Sequence, residues 1–146
     1  MDNDNSITRV MRDAGLRGAL QWLNERTRFR YTAVYVGSGS DEFKKVYLFD
    51  RENPRTREFN PEPVRSELCA RVVAAAAPLE ITDAQGSGDL AVAAFCGVPL
   101  HRRDDGIFGV ICHFDPAPQQ LTPAQLAEFV QSATVVGDTI DKLCGM

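Results

Sequence analysis

The side chains best suited to chemistry in this 146-residue chain are three cysteines and two histidines. They are Cys69, Cys96, Cys112, His101 and His113. Thiolates and imidazole nitrogens bind metal ions and act as nucleophiles or bases. However, no two of these cysteines have the short spacing of a zinc knuckle, and no glycine-flanked nucleophile turn accompanies either histidine. The pattern therefore predicts neither a metal site nor a catalytic triad.

The composition of the chain argues against several classes of protein. A chain of 146 residues with 44% apolar residues fits one domain with its own core. The net charge of -4 lacks the basic footprint of a nucleic-acid-binding domain. No apolar stretch is long enough to cross a bilayer, and the N-terminus is acidic and polar, unlike a secretory signal. We expect a cytoplasmic protein with reduced thiols that binds neither nucleic acid nor membrane.

Two predicted strands position Cys96 and Cys112. Ala93 to Leu100 and Ile107 to Asp115 read as two strands joined by a polar hairpin. Both strands are too apolar to face water, so the sheet should be covered on both sides. Because alternate strand residues face opposite ways, Cys112 and His113 should lie on different faces. The apolar neighbours of Cys96 and Cys112 make buried packing their expected role.

Further strands and loops complete the middle of the chain. Tyr31 to Gly37 and Phe43 to Asp50 have the composition of a hairpin, and Leu79 to Asp83 is a short strand candidate. Arg51 to Arg65 and Gln85 to Asp89 are predicted to be loops.

Three segments have helical patterns. Apolar residues recur from Ile7 to Arg26, with a break or kink expected near Gly15. A short helix should run from Ser66 to Ala77, where Pro78 stops it. Thr122 to Gln125 has a capping-box pattern, and an apolar stripe continues to Leu143. Opposite charges on the terminal helices favour packing them together, and the C-terminal stripe fits either the core or a helical dimer seam.

Several segments, in order, resemble a GAF domain, the small sensory module of signalling proteins. The resemblance runs from about Ala19 to Leu143 and is carried by Phe29 to Val36, Ser66 to Ala70, Pro78 to Ala84, Gly97 to Leu100 and Phe108 to Asp115. It implies an α+β sandwich: an antiparallel sheet of five or six strands, with the terminal helices on one face and shorter helices and loops over the other. It places the core at residues 19–144 of a single domain, 1–146, with residues 1–18 as a helical extension.

The resemblance also implies a role and a candidate pocket. GAF modules bind small molecules or report a partner's state, and they often dimerise through their terminal helices. We expect a non-catalytic homodimer without an attached output domain, which would signal by association with another protein, with an unidentified small-molecule ligand. The segments that enclose a ligand in the family contribute Tyr35, Phe49, Ser66, Cys69, Asp83, Phe95 and Cys112 here. A shift of one residue in this face assignment exchanges Phe95 with Cys96.

Other branches of the family provide alternatives. The cyclic-nucleotide signature is absent from the sequence. Members that bind linear tetrapyrroles attach the pigment through a cysteine followed by histidine in a helical segment, whereas Cys112 and His113 lie in a predicted strand. Another branch reduces free methionine sulfoxide with cysteines on mobile loops, whereas Cys69 is predicted in a helix and Cys96 and Cys112 in strands. A ligand-free interaction module and a thiol-dependent reductase remain the competing hypotheses.

Overall fold

The computed structural model describes residues 5–37, 43–55, 66–82, 93–102, 104 and 106–144. These residues form three helices and five strands. In chain order they are α1 (Asn5–Glu25), β1 (Tyr31–Val36), β2 (Lys44–Asp50), α2 (Ser66–Ala75), β3 (Leu79–Ile81), β4 (Ala94–His101), β5 (Ile107–Asp115) and α3 (Pro123–Cys144). Among the described residues, no helix has both the length and the apolar character needed to span a membrane.

The five strands form one antiparallel sheet in the order β2-β1-β5-β4-β3. Strand β5 lies at its centre, and residues from Phe108 to Asp115 are buried throughout. A strand buried on both faces has to be covered on both faces, as its apolar composition predicted. The expected α+β sandwich is therefore confirmed.

The two faces are covered by different helices. One face packs against the terminal helices in what we call the terminal-helix cluster, which includes Leu20, Leu23, Val34, Cys96, Ile111, Phe129, Val136 and Ile140. The other face packs against α2 in what we call the α2 cluster, made of Tyr31, Ala33, Tyr35, Phe43, Leu48, Leu68, Cys69, Val72, Phe95, Val110, Cys112 and Phe114. The predicted arrangement of terminal helices on one face is confirmed.

Local chemistry explains where the helices bend, begin and end. Gly15 adopts a φ of 73° inside α1, a conformation that favours glycine, so the expected kink is confirmed. The backbone N–H of Gln125 donates to Thr122 Oγ1 at 3.1 Å, and that of Thr122 donates to Gln125 Oε1 at 2.8 Å, which closes the predicted capping box. Helix α2 ends before its predicted last residue, because Ala76 turns to a left-handed φ of 52°.

The predicted loops are described only in part. Residues from Arg51 to Arg55 form turns after β2. The rest of the predicted loop, residues 56–65, and the predicted loop from Gln85 to Asp89 lie outside the described residues.

Strands β1 and β5 approach each other very closely at Gly109. A Cβ atom added at Gly109 would lie 2.5 Å from the backbone oxygen of Tyr35, a separation that real Cβ atoms do not show. Only glycine therefore allows the two central strands to pair at this point.

A buried polar cluster fastens α1 to the sheet. The side-chain amide of Asn24 donates to Thr32 Oγ1 at 2.9 Å and to the carbonyl of Phe29 at 3.0 Å. Thr32 Oγ1 lies 2.7 Å from His113 Nδ1, so its hydroxyl proton is placed to donate to a neutral imidazole. Arg51 Nε donates to Asn24 Oδ1 at 2.9 Å and completes the cluster. Buried polar groups stabilise a fold only when they are paired in this way.

His113 makes this cluster sensitive to acid. Burial, and then the nearby Arg51 cation, lower the pKa of His113 from its ordinary 6.5 to about 3. Between these two values the unfolded chain binds a proton at this residue and the folded chain does not. Stability is therefore highest above pH 6.5 and falls as the pH drops toward 3.

We predict that His113→Asn flattens this pH dependence. From pH 7 to pH 5, the free energy of unfolding of the original protein should fall by about 2 kcal/mol more than that of the variant. Urea unfolding followed by circular dichroism at the two pH values measures the difference. Parallel stability profiles for the two proteins would show that His113 does not remain neutral in the fold.

Candidate functional site

Four of the seven predicted pocket residues meet on the α2 face of the sheet. Tyr35 of β1, Cys69 of α2, Phe95 of β4 and Cys112 of β5 all belong to the α2 cluster. Each side chain is at most 1% exposed. Three strands and one helix thus bring together residues that are far apart in the sequence.

Strand pairing explains this convergence. Cys112 faces Ala33 across the β1–β5 pair and Gly97 across the β4–β5 pair. Phe95 lies opposite Phe114, two residues from Cys112 on the same face of β5. Because side chains alternate along a strand, these positions all point toward α2.

Gly97 provides space on this face of the sheet. A Cβ atom at Gly97 would lie 2.7 Å from the ring of Phe95 and 3.1 Å from Val72 Cγ2. Without that atom, the Phe95 ring and α2 can both approach the strand. The close approach at Gly97 involves side chains, whereas that at Gly109 involves the backbone of β1.

The expected placement of Phe49 is wrong. Phe49 packs in the terminal-helix cluster, and its neighbour Leu48 occupies the α2 face. The β1–β2 register shifts between Val34 and Tyr35. Extending the register of Tyr35 and Lys45 along the hairpin would put Phe49 opposite Tyr31, on the α2 face. The irregularity instead pairs Phe49 with Thr32, so the face is reversed.

The structure leaves two predicted residues without a described side chain. Ser66 is the first residue of α2, but its side chain is not described. Asp83 lies outside the described residues. Their role in a pocket stays a prediction.

Sequence reasoning also missed members of the α2 cluster. Val110 and Phe114 lie two residues either side of Cys112, and Val72 lies one helical turn after Cys69. The alternation of a strand and the period of a helix are the signals that would have found them. The cluster thus has an almost wholly apolar surface interrupted by two thiols and the tyrosine hydroxyls.

The thiols are placed for packing. Cys69, Cys96 and Cys112 are free and buried. Cys96 lies on the opposite face, in the terminal-helix cluster, where burial and then the Glu80 carboxylate raise the pKa of its thiol to about 12. A thiol with such a high pKa is almost never the thiolate that nucleophilic chemistry requires. Cys112 and His113 lie on opposite faces, as the strand pattern predicted.

Metal-binding groups and surface grooves were also compared with the position of the candidate site. Among the residues that the structure describes, no group of three or more His, Cys, Asp or Glu side chains is arranged to hold a metal ion. Three surface grooves formed by described residues are lined by none of the seven predicted pocket residues. The candidate site under α2 is therefore distinct from these three grooves.

A comparison with curated proteins finds no match. The family model of the GAF domain matches residues 12–140. The chain belongs to the GAF domain family. The match covers all five strands and most of both terminal helices, in agreement with the resemblance found in the sequence.

Solved GAF-like structures share the fold at low sequence identity. The GAF domain of an Acinetobacter phosphoenolpyruvate-protein phosphotransferase has a TM-score of 0.71 and 13% identity, over 99% of this chain and 95% of that chain. A biliverdin-bound structure, in its far-red absorbing dark state, has a TM-score of 0.74 and 11% identity, over 95% of this chain and 97% of that chain. The free methionine-R-sulfoxide reductase of Neisseria meningitidis has a TM-score of 0.67 and 18% identity, over 92% and 83%.

We predict that the three buried thiols are chemically silent in the folded protein. In a Cys144→Ser background, reaction with a colorimetric disulfide reagent at pH 8 should be at least about a hundred times slower than in guanidinium chloride. The rate is measured by absorbance under both conditions. A native thiol that reacts as fast as an unfolded one would contradict the placement of these cysteines.

Proposed function

We propose that this GAF domain is a non-catalytic sensor that binds a small molecule between α2 and the sheet. The observation that carries the proposal is the convergence of Tyr35, Cys69, Phe95 and Cys112 on that face. The GAF family as a whole supports a sensory role, and the biliverdin-bound neighbour holds a small molecule.

Helix α2, which covers the proposed site, is short enough for a bound ligand to displace it. Helix α2 has ten residues, whereas α1 and α3 have 21 and 22. A helix of ten residues is not stable by itself in water, so packing of Leu68, Cys69 and Val72 holds it in place. A ligand that replaces this packing with its own apolar surface can displace α2 at low cost. The movement of α2 would then report that the ligand is bound.

The lining suggests the chemical class of the ligand. Its surface is formed mainly by aromatic and aliphatic side chains, such as Phe95, Phe114 and Val110. The Tyr35 hydroxyl adds a hydrogen-bonding group. The best match is a molecule with a flat or aliphatic apolar body and one polar group that reaches Tyr35.

We predict that native mass spectrometry or a thermal-shift screen of metabolites will find a ligand whose binding depends on Tyr35. Tyr35→Phe keeps the ring and removes the hydroxyl, so the affinity should fall about two- to tenfold, as expected for one lost hydrogen bond. Tyr47→Phe is the matched control, since Tyr47 packs against the terminal-helix cluster. Equal losses in both variants, or no ligand at all, would favour an interaction module with a self-filled core.

The second candidate function is reduction of free methionine sulfoxide. It is favoured by the structural likeness to the reductases of Neisseria meningitidis and Thermoplasma acidophilum. The buried setting of Cys69 and Cys112 argues against it, because a catalytic thiol has to reach both substrate and reductant.

A coupled assay with NADPH, thioredoxin reductase, thioredoxin and free methionine-R-sulfoxide distinguishes the two candidates. We expect NADPH consumption no faster than that of the Cys69→Ser and Cys112→Ser variants. Turnover that disappears when either serine is introduced would establish the reductase and overturn the non-catalytic proposal.

A further inference from the structure

A groove lies on the edge of the domain, apart from the α2 cluster. We call it the edge groove and define it by Val98, Pro99, Arg102, Val130, Ala133 and Lys142. It has a volume of about 760 Å³, within the range of small-molecule sites. Strand β4, helix α3 and the segment between α2 and β3 form its walls.

The fold leaves this groove open because β3 is short. Pairing of β3 with β4 ends where Leu79 faces Gly97, so Val98 and Pro99 extend beyond it. Within the described chain, no strand covers β4 here.

Helix α3 forms the opposite wall at close range. A Cβ atom at Gly137 would lie 3.1 Å from the carbonyl oxygen of His101, so this glycine brings the helix onto the end of β4. One and two turns earlier on α3, Ala133 and Val130 border the groove. Val130 is 37% exposed, which is unusual for a large apolar side chain in this structure. Together with Val98 and Pro99, they make an apolar floor.

The rim of the groove carries an excess of positive charge. Arg102 and Lys142 are both on the rim, and Asp138 is the carboxylate beside them. Lys142 Nζ lies 3.4 Å from Asp138 Oδ2. The Arg102 guanidinium lies 5.3 Å from the centre of the Phe108 ring and makes no ion pair with a described residue. This local excess stands out in a chain whose net charge is -4.

We propose that the edge groove binds a small amphipathic carboxylate. The apolar floor takes an aliphatic body, and the basic rim takes the carboxylate, with Arg102 as its main partner. Arg102, which forms no ion pair with a described carboxylate and lies against the Phe108 ring, is placed to receive an anion. This site is separate from the proposed sensory site under α2, so either can fail without the other.

Octanoate is the test ligand and 1-octanol its uncharged counterpart. We expect octanoate to shift the methyl resonances of Val98, Val130 and Ala133 in a saturable way in carbon-detected spectra of the full chain. Because the carboxylate contributes, 1-octanol should bind about five- to tenfold more weakly. Added salt should weaken octanoate binding and leave that of 1-octanol unchanged.

Three substitutions distinguish the contributions of the rim, the floor and the overall charge to octanoate binding. Arg102→Gln should weaken octanoate about five- to tenfold, and Val130→Glu, on an exposed position, should abolish saturable binding. Lys44→Gln makes the same change of charge on β2, at the far edge of the sheet, and should have no effect.

Four outcomes would overturn the proposal. They are an absence of saturable shifts at these methyl groups, equal affinity for the acid and the alcohol, an effect of Lys44→Gln as large as that of Arg102→Gln, and an apparent affinity that falls as protein concentration rises. The last result would show that a second copy of the chain occupies the groove.

Discussion

Strand β5 runs through the centre of the sheet and is buried on both faces, and this constraint determines what surrounds it. Its apolar side chains have to be covered twice, so the chain uses its two long terminal helices on one face and α2 on the other. The two covers differ in the contacts that hold them. Helix α1 is fastened by the polar cluster around Asn24, Thr32 and His113, whereas α2 is held by apolar contacts with the sheet. The proposed ligand site lies under the second of these covers, α2.

The same constraint explains why the two strand cysteines are buried. A residue on a strand that is buried on both sides is removed from water whichever way it points. Cys96 and Cys112 lie on opposite faces of the sheet, and both are fully buried. The structural likeness to the sulfoxide reductases, at 18% identity or less, therefore shows a shared fold, and these two thiols of this chain pack in the two hydrophobic clusters.

Local patterns in the sequence predicted much of the fold because they depend on nearby residues. The capping box at Thr122 and Gln125 and the kink at Gly15 are properties of a few neighbouring residues, and both were found. Phe49 shows where such reasoning stops. Its face depends on Val46, the residue of β2 that the pairing with β1 skips, and the alternation of side chains around Phe49 does not reveal this irregularity. The candidate site was likewise predictable as a set of segments, while its ligand was not, because apolar lining fits many molecules.

Pro99 has a consequence for how molecules of this protein behave in a crowded solution. On its outer side, this end of β4 is paired with no described strand, and it offers backbone groups that a strand from a neighbouring molecule would normally recognise and extend. Proline has no amide hydrogen to contribute, so a growing ladder would be interrupted at this residue. The groove can thus stay open to solvent without acting as a template for fibril formation.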